Sequence, residues 1–136
     1  MKRAFIDTNL FIRYLTNDDS EKADRVAELL AEAAGGKTLL VTAEMVIAEV
    51  VWVLESYYGL ARVDIAPLIR GILATPGLEV INGSLVARAV EVYESQNVDF
   101  VDGYVAAVME REGIGEVYSF DKKHISRIKT IRRKEP

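Results

Sequence analysis

Short apolar runs alternate with longer amphipathic stretches along this 136-residue chain, and that alternation limits its fold more than any other feature. Arg3-Ala4-Phe5-Ile6 reads as a buried strand ending at Asp7-Thr8-Asn9, with a helix following from Leu10. Ala23, Val26, Ala27, Leu30 and Ala34 mark one face of a helix from Ser20 to Ala34, with Ser20 as its N-cap and Gly35-Gly36 as its stop. Leu39-Leu40-Val41 is a second strand, and Thr42 is expected to cap a helix from about Ala43 to Tyr58. A helix from Val63 to Ala74 precedes the strand Glu79-Val80-Ile81, and helices follow over Ser84–Ser95 and Asp102–Glu112. Glu116–Phe120 is a fourth strand ending at Asp121, and a short last strand is expected at Thr130-Ile131-Arg132. Such alternation predicts a single α/β domain over residues 1–136, a three-layer α/β/α sandwich with a central parallel sheet. Open sheets of this kind bind ligands beyond the carboxyl ends of their strands, where two of the clearest strands here deliver Asp7 and Asp121.

The composition removes several alternatives. A chain that is 50% hydrophobic has ample material for a core. With no cysteine, disulfide scaffolds, thiolate zinc sites and cysteine nucleophiles are excluded. The single histidine, His124, excludes multi-histidine metal sites. No apolar run approaches the roughly 18 residues needed to cross a bilayer. The opening segment reaches Asp7 too soon for a signal peptide, so a soluble, cytoplasmic protein without a membrane role is expected. The net charge of −4 divides unevenly: residues 122–136 hold seven Lys/Arg and one acid, whereas residues 1–121 hold ten bases and twenty acids. An acidic body with a basic end suits a protein whose acids perform a task and whose small basic patch meets an anion.

Three acids stand in apolar surroundings, and Asp121 joins them at a strand end. Glu49 interrupts the run Met45–Leu54, Asp102 lies within Phe100–Met109, and Asp7 separates two apolar stretches. Burying an unpaired carboxylate costs several kcal/mol or more, a large part of the roughly 5–15 kcal/mol that stabilises a domain. Acids persist in such settings when protonated, ion-paired or bound to a metal, and carboxylates gathered at a strand edge repel one another unless a cation joins them. Oxygen donors suit Mg²⁺ or Mn²⁺, and an ion so held polarises a phosphodiester and stabilises its leaving oxygen. Each acid also has a structural reading. Asp7 is placed to cap the next helix, and Glu49 to snorkel to solvent or to pair with a base such as Arg13. Either Asp99 or Asp102 is placed to cap the helix they open, and Asp121 to end its strand.

The chain resembles the PIN-domain family, and within it the VapC-type ribonuclease toxins of toxin–antitoxin pairs. The carriers are Phe5-Ile6-Asp7-Thr8-Asn9 with the apolar helix after it, Ile47-Ala48-Glu49-Val50-Val51-Trp52, Asp99-Phe100-Val101-Asp102-Gly103-Tyr104 and Tyr118-Ser119-Phe120-Asp121. The resemblance implies catalytic and metal-binding roles for Asp7, Glu49, Asp102 and Asp121, with Thr8, Asn9, Asp99 and Ser119 in support. It further implies Mg²⁺- or Mn²⁺-dependent cleavage of RNA, a homodimer, and a cognate antitoxin protein as partner. Arg13, Lys122, Lys123 and Arg127 are then candidates to contact RNA or antitoxin, along with Lys129, Arg132, Arg133 and Lys134 for phosphate. Leu10, Phe11, Trp52, Tyr57 and Tyr58 are candidates for a partner groove. Relatives often carry alanine at the place of Gly103, where glycine is expected to weaken the first helical turn by roughly 1 kcal/mol.

Two other readings meet the same residues. A catalytically silent PIN-fold interaction module would have no use for so many converging acids. A receiver-like phosphoacceptor would need an aspartate ending its third strand, where Asn82-Gly83 stands. Phosphate-cradling glycine motifs are absent, and Asn9 cannot serve as the second acid of a dehalogenase-like phosphatase.

Overall fold

The computed structural model describes residues 2–136, which form two compact units meeting between Gly83 and Ser84. In the first unit, β1 (Lys2–Phe5), β2 (Thr38–Ala43) and β3 (Leu78–Ile81) make one sheet in that order. Both pairings are parallel: Ala4 faces Leu40 and Val41 faces Glu79. Four helices fill the connections: α1 (Thr8–Thr16), α2 (Ser20–Ala34), α3 (Glu44–Ser56) and α4 (Arg62–Leu73). Each parallel pair requires such a crossover, because a tight turn can join only antiparallel strands. Ile6, Phe11, Leu40, Val50, Val51, Leu54, Ile65 and Ile69 are all buried.

The helix ends differ in detail from the sequence reading. Asp19 caps α2, its Oδ1 accepting from the Lys22 N–H at 3.1 Å, so Ser20 is the first helical residue. Thr42 caps nothing. Strand β2 continues to Ala43, and the fully buried Thr42 hydroxyl donates to the Ile6 carbonyl at 3.0 Å, stitching β2 to the segment that follows β1. Asn17 closes α1 in the left-handed region, with φ 53°. Gly77, at φ +77°, lies so close to α2 that a Cβ there would stand 2.3 Å from the Ala33 carbonyl oxygen.

In the second unit α5 (Gly83–Ser95) and α6 (Phe100–Glu112) precede a parallel pair, β4 (Glu116–Tyr118) and β5 (Arg132–Lys134), with a 3-10 turn at Ile125–Arg127 between the strands. Val92, Val98, Ala106, Met109, Ile125, Ile128 and Ile131 form its core cluster. Strand β4 stops two residues short of the expected Phe120, and β5 lies two residues beyond the expected segment. Tyr118 and Phe120 are exposed, so their hydrophobicity marks no core strand.

Gly103 is a packing requirement rather than a weak point in α6. A Cβ there would lie 2.7 Å from the Ala89 carbonyl oxygen and 3.4 Å from the Tyr93 nitrogen, both on the backbone of α5. Replacing it by alanine gains about 1 kcal/mol of helix propensity but forces two backbones apart, an overpacking cost of about 1–3 kcal/mol. Gly103→Ala is therefore expected to lower the urea midpoint; a raised midpoint would show that the two helices separate freely.

Candidate metal and active site

In the first unit the site begins where β1 ends. Asp7 is the N-cap of α1, with Oδ1 accepting from the Thr8 N–H at 2.8 Å. The helix thus starts at Thr8, two residues before the expected Leu10. Asp7 Oδ2 has no hydrogen-bond partner among the described residues. Asp7, Thr8 and Asn9 share an open cleft of about 350 Å³ with Ile12, Arg13 and Glu49. Thr8 is buried, and its Oγ1 is without a hydrogen-bond partner, although a buried hydroxyl is normally satisfied. Besides Asp18, which is paired with Arg13, the cleft carries the carboxylates of Asp7 and Glu49 and the Asn9 amide, an oxygen-rich set that fits a hydrated Mg²⁺ or Mn²⁺.

The expected burial of Asp7 and Glu49 is not what the fold produces: both side chains are exposed. Helix α3 buries Ile47, Val50, Val51 and Leu54, while Met45, Glu49 and Trp52 line the opposite face, Met45 at 78% and Trp52 at 65% exposure. Apolar residues on both faces hid the wet side of this helix. Of the residues expected to line a partner groove, Phe11 is core, whereas Trp52 and Tyr57 are exposed. Arg13 does not pair with Glu49. Its Nη1 meets both carboxylate oxygens of Asp18 at 2.9 and 3.0 Å, and the Tyr58 hydroxyl donates to that same carboxylate. The Tyr58 hydroxyl and the Arg13 guanidinium together hold the Asp18 carboxyl below its usual range.

The second unit gathers three more donors. One oxygen each from Asp99 and Asp102 and one ring nitrogen of His124 lie within 4.8 Å of one another. Asp102, on the first turn of α6, is half-buried. Burial first, and then the charges of Asp99 and Asp121, push its carboxyl up, against a smaller opposing effect of His124. Asp99 is the N-cap of α6, yet its side chain accepts no hydrogen bond from the helix. Asp121 ends no strand; it folds the turn after β4, with Oδ1 accepting from the N–H groups of Lys123 at 2.9 Å and His124 at 3.0 Å. Those donors, the His124 N–H foremost, hold its carboxyl down. Ser119 buttresses that turn, its Oγ accepting from the Asp121 N–H at 3.0 Å.

Among the basic candidates, Arg127 donates to the Asn97 carbonyl at 2.7 Å, tying the turn to the loop before α6. Arg132 and Lys134 both engage Glu116, and Arg133 binds the Ser119 carbonyl and Glu135. Lys122 and Lys123 are exposed, with no ion-pair partner among the described residues. His124 escaped the sequence reading, which counted histidines only to exclude multi-histidine sites. The spacing of Asp121 and His124, three residues apart after a strand, was the available signal.

The raised Asp102 carboxyl has a defined pH signature. Between the ordinary value of 3.8 and its higher folded value, the folded chain binds a proton that the unfolded chain lacks. Without metal, Asp102 therefore costs stability progressively as pH rises through that window, and the cost is complete above it. In EDTA at neutral pH, Asp102→Asn is expected to melt a few degrees above wild type by circular dichroism. The difference should vanish on acidification below the ordinary carboxylate range; a lower melting temperature at neutral pH would contradict the repulsion.

No helix among the described residues is long and apolar enough to cross a membrane. In comparison with known proteins, the chain is 26% identical over 118 residues to a VapC ribonuclease of Aquifex aeolicus (strain VF5), covering 87% of each chain. A PIN-domain family model matches residues 4–130, through both units and every candidate site acid. The chain therefore belongs to the PIN-domain family, and its fold is of the expected α/β/α class with a parallel sheet.

Proposed function

We propose that this protein is an endoribonuclease dependent on Mg²⁺ or Mn²⁺, hydrolysing RNA phosphodiester bonds as the toxin of a toxin–antitoxin pair. The observation that carries this reading is the set of carboxylates left without basic partners. Asp7 and Glu49 line one cleft with the buried, unpaired Thr8 hydroxyl, and the Asp102 carboxyl is raised by burial and then by its acidic neighbours. The likeness to a VapC ribonuclease supports the same reading. The family model spans both units, which we take as halves of a single PIN domain.

Asp7, Glu49, Asp102 and Asp121 are assigned to hold the cation, with Thr8, Asn9, Asp99 and Ser119 supporting them. The bound ion supplies Lewis acidity, polarising the scissile phosphate and stabilising the leaving oxygen. The chain's own residues do the rest. Asp7 is fixed by its cap bond to Thr8, so it reaches the cleft already oriented. Exposed Lys122 and Lys123 are assigned to neutralise RNA phosphates, and Arg13, held by Asp18, to meet RNA or an antitoxin carboxylate. Arg127 remains a candidate contact through whatever donors its bond to Asn97 leaves over. The exposed apolar side chains Met45, Trp52 and Tyr57 suit a protein partner, an antitoxin or a second copy in a homodimer. We assign the protein to the cytoplasm, where RNA and antitoxin are both available.

With Mg²⁺ or Mn²⁺ the protein is expected to cut single-stranded RNA, and to stop in EDTA. Asp7→Asn and Glu49→Gln should each lower the cleavage rate by about a hundredfold or more while leaving the circular dichroism spectrum unchanged, the scale expected when preorganised charge leaves an active site. A folded wild type that neither cuts RNA nor gains thermal stability from either ion would identify a silent interaction module instead.

A further inference from the structure

The second unit holds a donor that a purely carboxylate reading leaves unused. His124 is the chain's single histidine and is half-buried. Its ring nitrogen and one oxygen from each of Asp99 and Asp102 lie within 4.8 Å of one another. Around a six-coordinate ion with bonds of roughly 2.1 Å, adjacent donors stand roughly 3 Å apart and opposite donors roughly 4.2 Å apart. Small side-chain rotations would thus bring all three onto one ion.

Among the described residues the side chains of Asp99 and Asp102 make no hydrogen bond or ion pair, and His124 makes only a long ion pair with Asp121. Asp99 occupies an N-cap position but accepts nothing from the helix, leaving its charge beside that of Asp102. His124 Nδ1 stands 3.7 Å from Asp121 Oδ2, too far for a hydrogen bond. Asp121 is committed through Oδ1 to the backbone of the turn that carries the imidazole. The segment is anchored on its far side as well, because the Lys129 N–H donates to Gln96 Oε1 and Arg127 to the Asn97 carbonyl. The imidazole is therefore presented to the two aspartates by a braced turn.

We propose that Asp99, Asp102 and His124 form a mixed oxygen–nitrogen cation site, with Asp121 as the positioning residue, so that this chain takes Mn²⁺ or Co²⁺ in preference to Mg²⁺. Carboxylates alone serve Mg²⁺ well, whereas imidazole adds affinity for first-row transition ions and almost none for Mg²⁺. This selectivity rests on the functional reading above in taking Asp102 as a metal ligand, and it departs from that reading in making Asp99 a ligand and Asp121 the residue that positions His124.

The test is metal binding by the full chain, followed by calorimetry and thermal shift with MgCl₂, MnCl₂ and CoCl₂, in wild type and in His124→Ala. His124→Ala is expected to lose about tenfold or more in Mn²⁺ and Co²⁺ affinity and about twofold or less in Mg²⁺ affinity. The Co²⁺ form of the wild type should show one contact-shifted imidazole N–H resonance that disappears in D₂O, and with one histidine in the chain its assignment is unambiguous. That spectrum needs no variant, so it decides the matter even if His124→Ala fails to fold. Asp121→Asn should weaken Mn²⁺ binding less than His124→Ala does. If the wild type binds these ions but the Mn²⁺ to Mg²⁺ affinity ratio is unchanged in His124→Ala, or no shifted resonance is seen, the imidazole site is wrong and the nuclease reading stands. If the wild type binds none of the three ions, both fail together.

Discussion

Parallel pairing of β1, β2 and β3 is the constraint on which the first unit depends. Because neighbouring strands run in the same direction, every connection must cross back as a helix, and every strand delivers its carboxyl end to one edge. Asp7 follows β1 at that edge, and α3, carrying Glu49, leaves from the end of β2. At the end of β3, the Asn82 amide donates to Glu44 at 2.9 Å. The buried Thr42 hydroxyl, bonded to the Ile6 carbonyl, holds the residue before Asp7 against β2. A sheet bond and a side-chain bond together determine where the first carboxylate stands.

The protein does not lack bases; it uses them elsewhere. Arg13 and Tyr58 are gathered on Asp18, Arg88 bridges Glu91 and Glu110, and Arg132 and Lys134 converge on Glu116. These are exposed pairs of small individual worth. Among the described residues, Asp7, Glu49, Asp99 and Asp102 form no ion pair with a lysine or arginine, although His124 lies beside the last two. The half-buried Asp102 beside Asp99 costs stability, and on the proposed reading a divalent cation that binds only the folded chain returns it. On the proposed reading, stability and function are coupled through the same oxygens.

Much of this was legible in the residues. The periodicity of residues 20–34 defines α2 to the residue, and the other helices differ from their expected limits by a few positions. The acids stood out because each breaks an apolar run, although the inference drawn from those runs was only half right. Helix α3 carries apolar residues on both faces, so its sequence does not tell the buried side from the wet one; Glu49 shares the exposed side with Met45 and Trp52. Gly103 reads as a local weakness until the backbone of α5 is seen against it. Cap positions slipped for a related reason. Thr42 and Ser20 are competent caps, but strand pairing extended β2 past the first, and Asp19 took the place of the second.

By itself the sequence determined the succession of strands and helices, the oxygen-rich character of the donors and the absence of thiolate chemistry, because these follow from local periodicity and side-chain type. Only the tertiary structure decided which carboxylates are wet, which bases are already spent, and that a lone histidine stands with two aspartates. Those properties depend on distances between residues far apart in the chain, which close packing of backbones establishes and local pattern does not record.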